Sequence, residues 1–293
     1  MRAALYVLMV WLCVPGSGGA QPDPWWKGLK PAERSFLEEL EAAGADYDPV
    51  EKRLVVDSAS TPRLLLSRLG ELEGLEGLIV HAWQLDSIPF EKLKKLRVLH
   101  IHDELLRASE LPTSVIQQLD ELCLKVDSRG AVRILGDLAS VNRIRSLDLS
   151  GSPITDVAIQ SLGKLRSLES LYLYGTRISA AALQQQISKL LGLKRLYLDV
   201  ASMDSSFPDT LSKIGIEELD LVGAWKNRPL TVRLAAIPSL KKFSSSSGPE
   251  LSSLLDSLPA SLTSLTGRVN RLTPETRTAI SKKLPRLKSL HLE

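Results

Sequence analysis

The chain has 293 residues, 44% of them hydrophobic and 24% charged, with a formal net charge of +3. That is enough apolar mass for one or two folded domains, and it excludes disorder as the default state. So small a charge, spread over this length, gives no argument for nucleic acid or an anionic membrane as a general partner.

The N-terminus has the form of an export leader. Arg2 precedes the apolar run "AALYVLMVWLCV", Pro15 ends it, and "GSGGA" supplies small residues for cleavage after Ala20, so residues 1–20 are expected to be a signal peptide. The run is too short to span a bilayer comfortably. Trp11 and Leu12 are too bulky ahead of Cys13 for a lipoprotein cleavage site, so no lipid anchor is expected. Removal of the leader leaves Cys123 as the one thiol, and stability must then come from apolar packing rather than disulfides. The processed protein is expected to be extracytoplasmic, either secreted or periplasmic.

Residues 21–60 read as a linker followed by a cap. "PAERSFLEELEAAG" places Pro31 in a first helical turn, repeats apolar residues at Phe36, Leu37 and Leu40, and stops at Gly44. "YDPVEKRLVV" then gives a turn and a strand ending at Val55 and Val56, and "TPRLLLSRL" begins a helix behind Thr61 and Pro62.

Over residues 61–293 one pattern recurs. L-x-x-L-x-L combs begin at Leu75, Leu96, Leu119, Ile144, Leu168, Leu193, Ile216, Leu240, Leu262 and Leu287, at spacings of 21 to 25 residues. "LKKFSSSS" and "LTSLTGRV" are the poor copies. Each comb has period two and should be a short strand, while the return segments, such as "ITDVAIQSLGKL", space apolar residues for a short helix. No unit can bury its own leucines, so the units must stack into an α/β solenoid. Short polar residues eight places after the first leucine, Asp127, Ser152, Thr176 and Asn270, suit the turn after each strand.

"LDLSGSPITD" and "LYLYGTRIS" resemble the bacterial secreted leucine-rich-repeat proteins, in which a Gly-Thr or Gly-Ser turn and an Ile or Val follow the strand. The likeness covers residues 75–293. It implies a right-handed solenoid, with a curved parallel sheet on the concave face and short helices on the convex face. It also implies a non-enzymatic binding scaffold whose ligand sits on the concave sheet. The turn asparagine usual in that family is rare here, so no regular asparagine ladder is expected.

If the leucines point inward, the residues between them face the concave surface. One column then reads Ile79, His100, Cys123, Asp148, Tyr172, Tyr197, Asp220, Ser244, Thr266 and His291, and its neighbour His81, His102, Lys125, Ser150, Tyr174, Asp199 and Val222. Tyr172, Tyr174 and Tyr197 should cluster, ringed by Asp148, Asp199, Asp220 and Arg195, as a protein-partner site. Tyrosines also suit any half-buried strand surface, and that plainer reading stands beside the first. A second group, His81, His100, His102 and Cys123, has the donor types of a zinc site, with Lys125 beside His102 opposing a cation; plain solvated histidines are the alternative.

Little points to catalysis. Residues 21–293 hold no phosphate loop, C-x-x-C pair, H-E-x-x-H helix or Gly-x-Ser-x-Gly elbow, and a Ser146, His100 and Asp148 triple is one that chance supplies on a polar sheet. Residues 226–293 hold twelve Lys and Arg against Glu250, Asp256, Glu275 and Glu293. A binder of acidic polymers through Arg268, Arg271, Lys282, Lys283, Arg286 and Lys288 is therefore a further alternative. The last strand, "LKSLHLE", leaves an uncapped edge, for which a homodimer or pairing hindered by His291 and Glu293 is expected.

Overall fold

Among the described residues twelve strands lie side by side in one sheet, in strict chain order. The computed structural model describes residues 29–56, 61–106, 111–204, 206–223, 234–246, 254–267 and 273–292. The leader and Arg268, Asn270, Arg271 and Glu293 lie outside the described residues. The strands are β1 (Asp46–Asp48), β2 (Arg53–Val55), β3 (Gly77–His81), β4 (Val98–Leu106), β5 (Glu121–Val126) and β6 (Ser146–Asp148). They continue as β7 (Ser170–Tyr172), β8 (Arg195–Asp199), β9 (Glu218–Val222), β10 (Lys242–Ser246), β11 (Ser264–Gly267) and β12 (Ser289–Leu292). β1 and β2 are antiparallel, and each later neighbour pair is parallel. Parallel neighbours need a crossover of a dozen or more residues, which each repeat supplies.

The comb packs as its period demands. Leu147, Leu171, Leu196 and Leu219 are partners in register and all are 0% exposed. Phe243 and Leu265 carry the same buried row through the two poor copies. The N-terminal cap matches its sequence pattern: α1 (Pro31–Ala42) starts on Pro31 and buries Phe36, Leu37 and Leu40. The guanidinium of Arg68 lies 4.3 Å over the Phe36 ring while pairing with Glu39 and Glu71. β2 fits the strand expected before Val55 and Val56, whereas β1 lies outside it, because "DYD" has no apolar alternation. What fixes this hairpin is its turn, where Asp48 Oδ1 accepts from the N–H groups of Val50 and Glu51 at 2.8 and 3.1 Å.

The return segments correct one expectation. The helix expected in "ITDVAIQSLGKL" is instead a run of turns ending in a 3₁₀ stretch, Leu162–Lys164, although Ile154, Ala158, Leu162 and Leu165 all point inward. A 3₁₀ turn rises about 2.0 Å per residue against about 1.5 Å in an α-helix, so fewer residues cover the same height. Spacing alone does not select between them: the 25-residue spacings hold the α-helices Ser128–Val141, Ala180–Ile187 and Pro274–Lys283, but the 23-residue spacing from Leu193 to Ile216 also holds one, Phe207–Ile214. "TPRLLLSRL" likewise begins a helix behind Pro62, but only Arg63–Leu66 is α-helical.

The polar turn residues act as anticipated. Asp127 caps the helix Ser128–Val141 by accepting from the Gly130 N–H at 2.7 Å. Buried Ser152 accepts from the Val126 N–H of the preceding repeat at 3.0 Å, and Thr176 donates to the Leu173 carbonyl at 2.9 Å.

Just ahead of each strand one carbonyl accepts two N–H groups from the next repeat. Lys52 O takes Glu76 and Gly77 at 3.0 and 3.1 Å, Glu169 O takes Lys194 and Arg195 at 2.8 and 2.9 Å, and the pattern repeats at every step from β2 to β12. The side chains at these positions alternate in sign: Lys52, Glu76, Arg97, Asp120, Arg145, Glu169, Lys194, Glu217 and Lys241. Neighbours pair across strands at Lys52–Glu76 (2.6 Å), Arg145–Glu169 (3.3 Å) and Lys241–Glu217 (2.7 Å). Each exposed pair is worth about 0–1 kcal/mol, so leucine burial carries most of the stability. Leu171→Ala is expected to cost about 2–5 kcal/mol. Val157→Ala, at a residue 63% exposed, should stay within about 0.5 kcal/mol; urea unfolding of both variants checks the contrast.

Candidate functional site

The concave column expected from the comb is a row of register partners. Ile79, His100, Cys123, Asp148, Tyr172, Tyr197, Asp220, Ser244, Thr266 and His291 follow one another strand by strand. Leu171 and Leu173 are at most 1% exposed, whereas Tyr172 and Tyr174 are half-buried on the opposite face. The Tyr172 and Tyr197 rings stack across β7 and β8, with centroids 4.1 Å apart and planes 9° apart. Tyr174 meets Tyr197 edge-on at 6.3 Å and 74°. The edge-on contact is a geometry that aromatic quadrupoles favour.

Polar groups hold the rings in place. The Tyr197 hydroxyl donates to Glu218 Oε1, and Glu218 Oε2 lies 3.3 Å from Lys242 Nζ. Arg195 Nε donates to Ser170 Oγ at 2.6 Å. Asp148 accepts from the Ser150 N–H at 2.7 Å and from the Cys123 thiol at 3.6 Å, and Asp199 accepts from the Gly175 N–H at 2.6 Å. Asp220 stands next to Tyr197 in register. Burial pushes the Tyr197 phenol well above its ordinary pKa, helped by the Tyr172 ring and the Glu218 carboxylate, and burial also raises Tyr172.

Ser170, Glu218 and Lys242 were missed by the sequence reading. They belong to a third concave row, one residue before the middle leucine of each comb, which runs through Arg53, Gly77, Val98, Glu121, Ser146, Ser170, Arg195, Glu218 and Lys242. The row was readable from the same leucines. At Gly77 it requires glycine, because a Cβ there would lie 2.8 Å from the Arg53 Cγ that crosses it.

The histidine group is not gathered into a metal site. His100 Nε2 is bonded to Glu121 Oε1 at 2.6 Å, and Cys123 turns to Asp148. His81 stacks on Trp83 at 6.2 Å and meets His102 at a 56° tilt. The parallel sheet holds them side by side, with His100 and Cys123 turned to residues outside the group. Among the described residues no group of three or more His, Cys, Asp or Glu could hold a metal ion. The expected placement of Lys125 is also corrected: β4 shifts register after His100, so Leu105, not His102, is opposite Lys125. The chance triple dissolves in the same way, since His100 is tied to Glu121 and Asp148 to Ser150 and Cys123.

At the far end of the sheet a cavity of about 370 Å³ is lined by Arg277, Ile280, Leu284, Leu287, Leu290 and Leu292, among others. His291 bonds Ser289 Oγ at 2.8 Å on the exposed edge strand. Among the described residues no helix is long and apolar enough to cross a membrane.

Two tests follow from the local chemistry. The hydrogen bond from His100 holds the Glu121 carboxyl below its ordinary value, with the charges of His100, Arg53 and Arg195 adding to it against the opposing effect of burial. A lowered folded-state pKa gives stability that is present above the unfolded value of about 4.3 and is lost as pH falls through the folded one. Glu121→Gln should therefore flatten the acid limb of a stability–pH curve, measured by urea unfolding at successive pH values. Burial, and then Asp148, push the Cys123 thiol well above its ordinary pKa. Iodoacetamide at neutral pH should label it only after unfolding, as mass spectrometry would read.

No protein-family model matches the chain, and no curated protein does. The solved structure of the TLR13–ssRNA13 complex matches with a TM-score of 0.51 at 16% identity, over 76% of this chain and 36% of that one. The chain thus spans about a third of that protein's length. An internalin (inlF) from Listeria monocytogenes str. 4b F2365 is similar at a TM-score of 0.44 and 18% identity, over 87% of this chain and 84% of that one. Both neighbours are leucine-rich-repeat proteins. Ordered parallel strands, the inward comb and the likeness to the first neighbour agree that the fold is an α/β leucine-rich-repeat solenoid.

Proposed function

We propose that the chain is a non-enzymatic, extracytoplasmic interaction scaffold that binds a protein partner on its concave sheet. Tyr172, Tyr174 and Tyr197 form the contact centre, with Asp148, Asp199, Asp220 and Arg195 around them. The observation that carries this reading is the tyrosine trio: two rings stacked at 4.1 Å and a third edge-on, on strands fixed from both sides. Such rings offer apolar area with a polar tip at little entropic cost, which is why tyrosine is enriched at interface centres. The export leader expected at residues 1–20 supports the extracytoplasmic setting.

Other readings draw less support. Lys282, Lys283, Arg286 and Lys288, proposed for acidic polymers, stand on the last helix and the approach to β12, away from the aromatic surface. The same charges oppose a homodimer through β12, because two copies would meet with like sign. The first structural neighbour was solved with single-stranded RNA, but here the tyrosines are flanked by carboxylates, which repel phosphate.

A pull-down from the extracytoplasmic fraction, repeated with Tyr172→Ala and Tyr197→Ala, tests the reading. Calorimetry on the purified partner should show a loss of at least about ten-fold in affinity, or 1.4 kcal/mol. Unchanged affinity, with circular dichroism showing both variants folded, would remove the concave face from contention.

A further inference from the structure

The charges around the tyrosines are not balanced, and the imbalance has a direction. Four carboxylates border the rings, Asp148, Asp199, Asp220 and Glu218, against two cations, Arg195 and Lys242. Lys242 already pairs with Glu218, while Arg195, held by the uncharged Ser170, keeps its charge, which leaves three aspartates against one cation. Among the described residues Asp148 and Asp199 accept only from uncharged donors: the N–H groups of Ser150 and Gly175, and the Cys123 thiol. Such donors orient a carboxylate without neutralising it. Burial raises the Tyr172 phenol, with Arg195 lowering it and Asp148 and Glu218 raising it, and Asp148 raises the Cys123 thiol after burial.

The stack sets where this charge can be used. Tyr172 and Tyr197 spend their inner faces on each other, with planes 9° from parallel across the strand gap. Their outer faces must therefore look along the row, toward β6 on one side and β9 on the other. The row order is Asp148, Tyr172, Tyr197, Asp220, so each outer face has an aspartate on the adjoining strand, about 4.8 Å away. A cation placed over either aspartate also meets the negative face of a ring, and the two attractions act on one group. An anion there meets repulsion from both, and a neutral group gains neither.

We propose that the partner presents a lysine or arginine side chain to this surface, seated over Asp148 or Asp220 against the outer face of Tyr172 or Tyr197. The inference rests on the concave reading above and adds the chemistry of what docks there. It makes recognition local, because the chain as a whole carries a net charge of +3, and salt-sensitive, because Asp148 and Asp220 are only half-buried, although Asp220 Oδ1 is enclosed.

The test uses the purified protein with ¹³C-labelled tyrosine rings and blocked pentapeptide probes, Gly-Gly-Arg-Gly-Gly and its lysine, citrulline and glutamate counterparts. Arginine and lysine probes should shift the Tyr172 and Tyr197 ring signals saturably, and raising the salt from about 0.02 M to about 0.5 M should weaken them several-fold. Citrulline and glutamate probes should shift neither. The double variant Asp148→Asn with Asp220→Asn should lose about ten-fold in arginine affinity while both ring signals keep their native positions, which shows that the fold survives. Citrulline binding as well as arginine, glutamate binding better, no saturable shift with arginine, or an unaffected double variant would each overturn the proposal. If the captured partner needs Tyr172 and Tyr197 but ignores the double variant, the concave reading stands and the basic ligand falls. If it ignores the tyrosines as well, both fall.

Discussion

A strand of this chain cannot hide its own leucines, and everything else in the structure is arranged around that constraint. Leu171 is 0% exposed because Leu147 and Leu196 stand on either side of it in register. That register is held by carbonyls such as Glu169 O, which clamp two successive N–H groups of the next repeat. A slip of one residue would turn leucines outward and tyrosines inward along the whole row. Burial and backbone bonding therefore specify the same alignment, and the positions of the exposed side chains follow from it.

The concave chemistry is a by-product of that alignment made specific by a few substitutions. The strand backbones are nearly interchangeable, so what distinguishes one stretch of the face is whatever stands between the leucines: His100 and Cys123, then Asp148, then the two stacked tyrosines. Several polar groups on the face have found a neighbour one strand away, as His100 has in Glu121, Arg195 in Ser170 and Tyr197 in Glu218. Side chains locked in this way lose little freedom when a partner arrives, which favours recognition over chemistry that needs a free nucleophile.

Period two made the comb legible in the sequence, and with it the row from Ile79 to His291 and the meeting of Tyr172 with Tyr197. Single residues with one structural use were legible too, such as Pro31 at a helix start and Asp127 at a cap. What escaped depends on information that lies outside the repeat. The 3₁₀ path after Ile154 is not written in the apolar spacing, which there matches that of a helix. The strand Asp46–Asp48 exists because a side-chain-capped turn folds it back. The shift in β4 after His100 moves Lys125 away from His102 and cannot be seen from a count of positions that assumes equal strands. Rotamers escaped as well: the imidazoles and the thiol share a surface, yet His100 turns to Glu121 and Cys123 to Asp148.

The sign alternation from Lys52 to Lys241 gives the solenoid a parity. Removing one coil, for example the one that begins with Asp120, would set Arg97 against Arg145, and like charges directly opposite one another are destabilising. Removing or copying two coils together would leave every contact between opposite signs. The electrical period of the molecule is therefore twice its structural one, so recombination that shortens or lengthens such an array is electrostatically silent only in even steps.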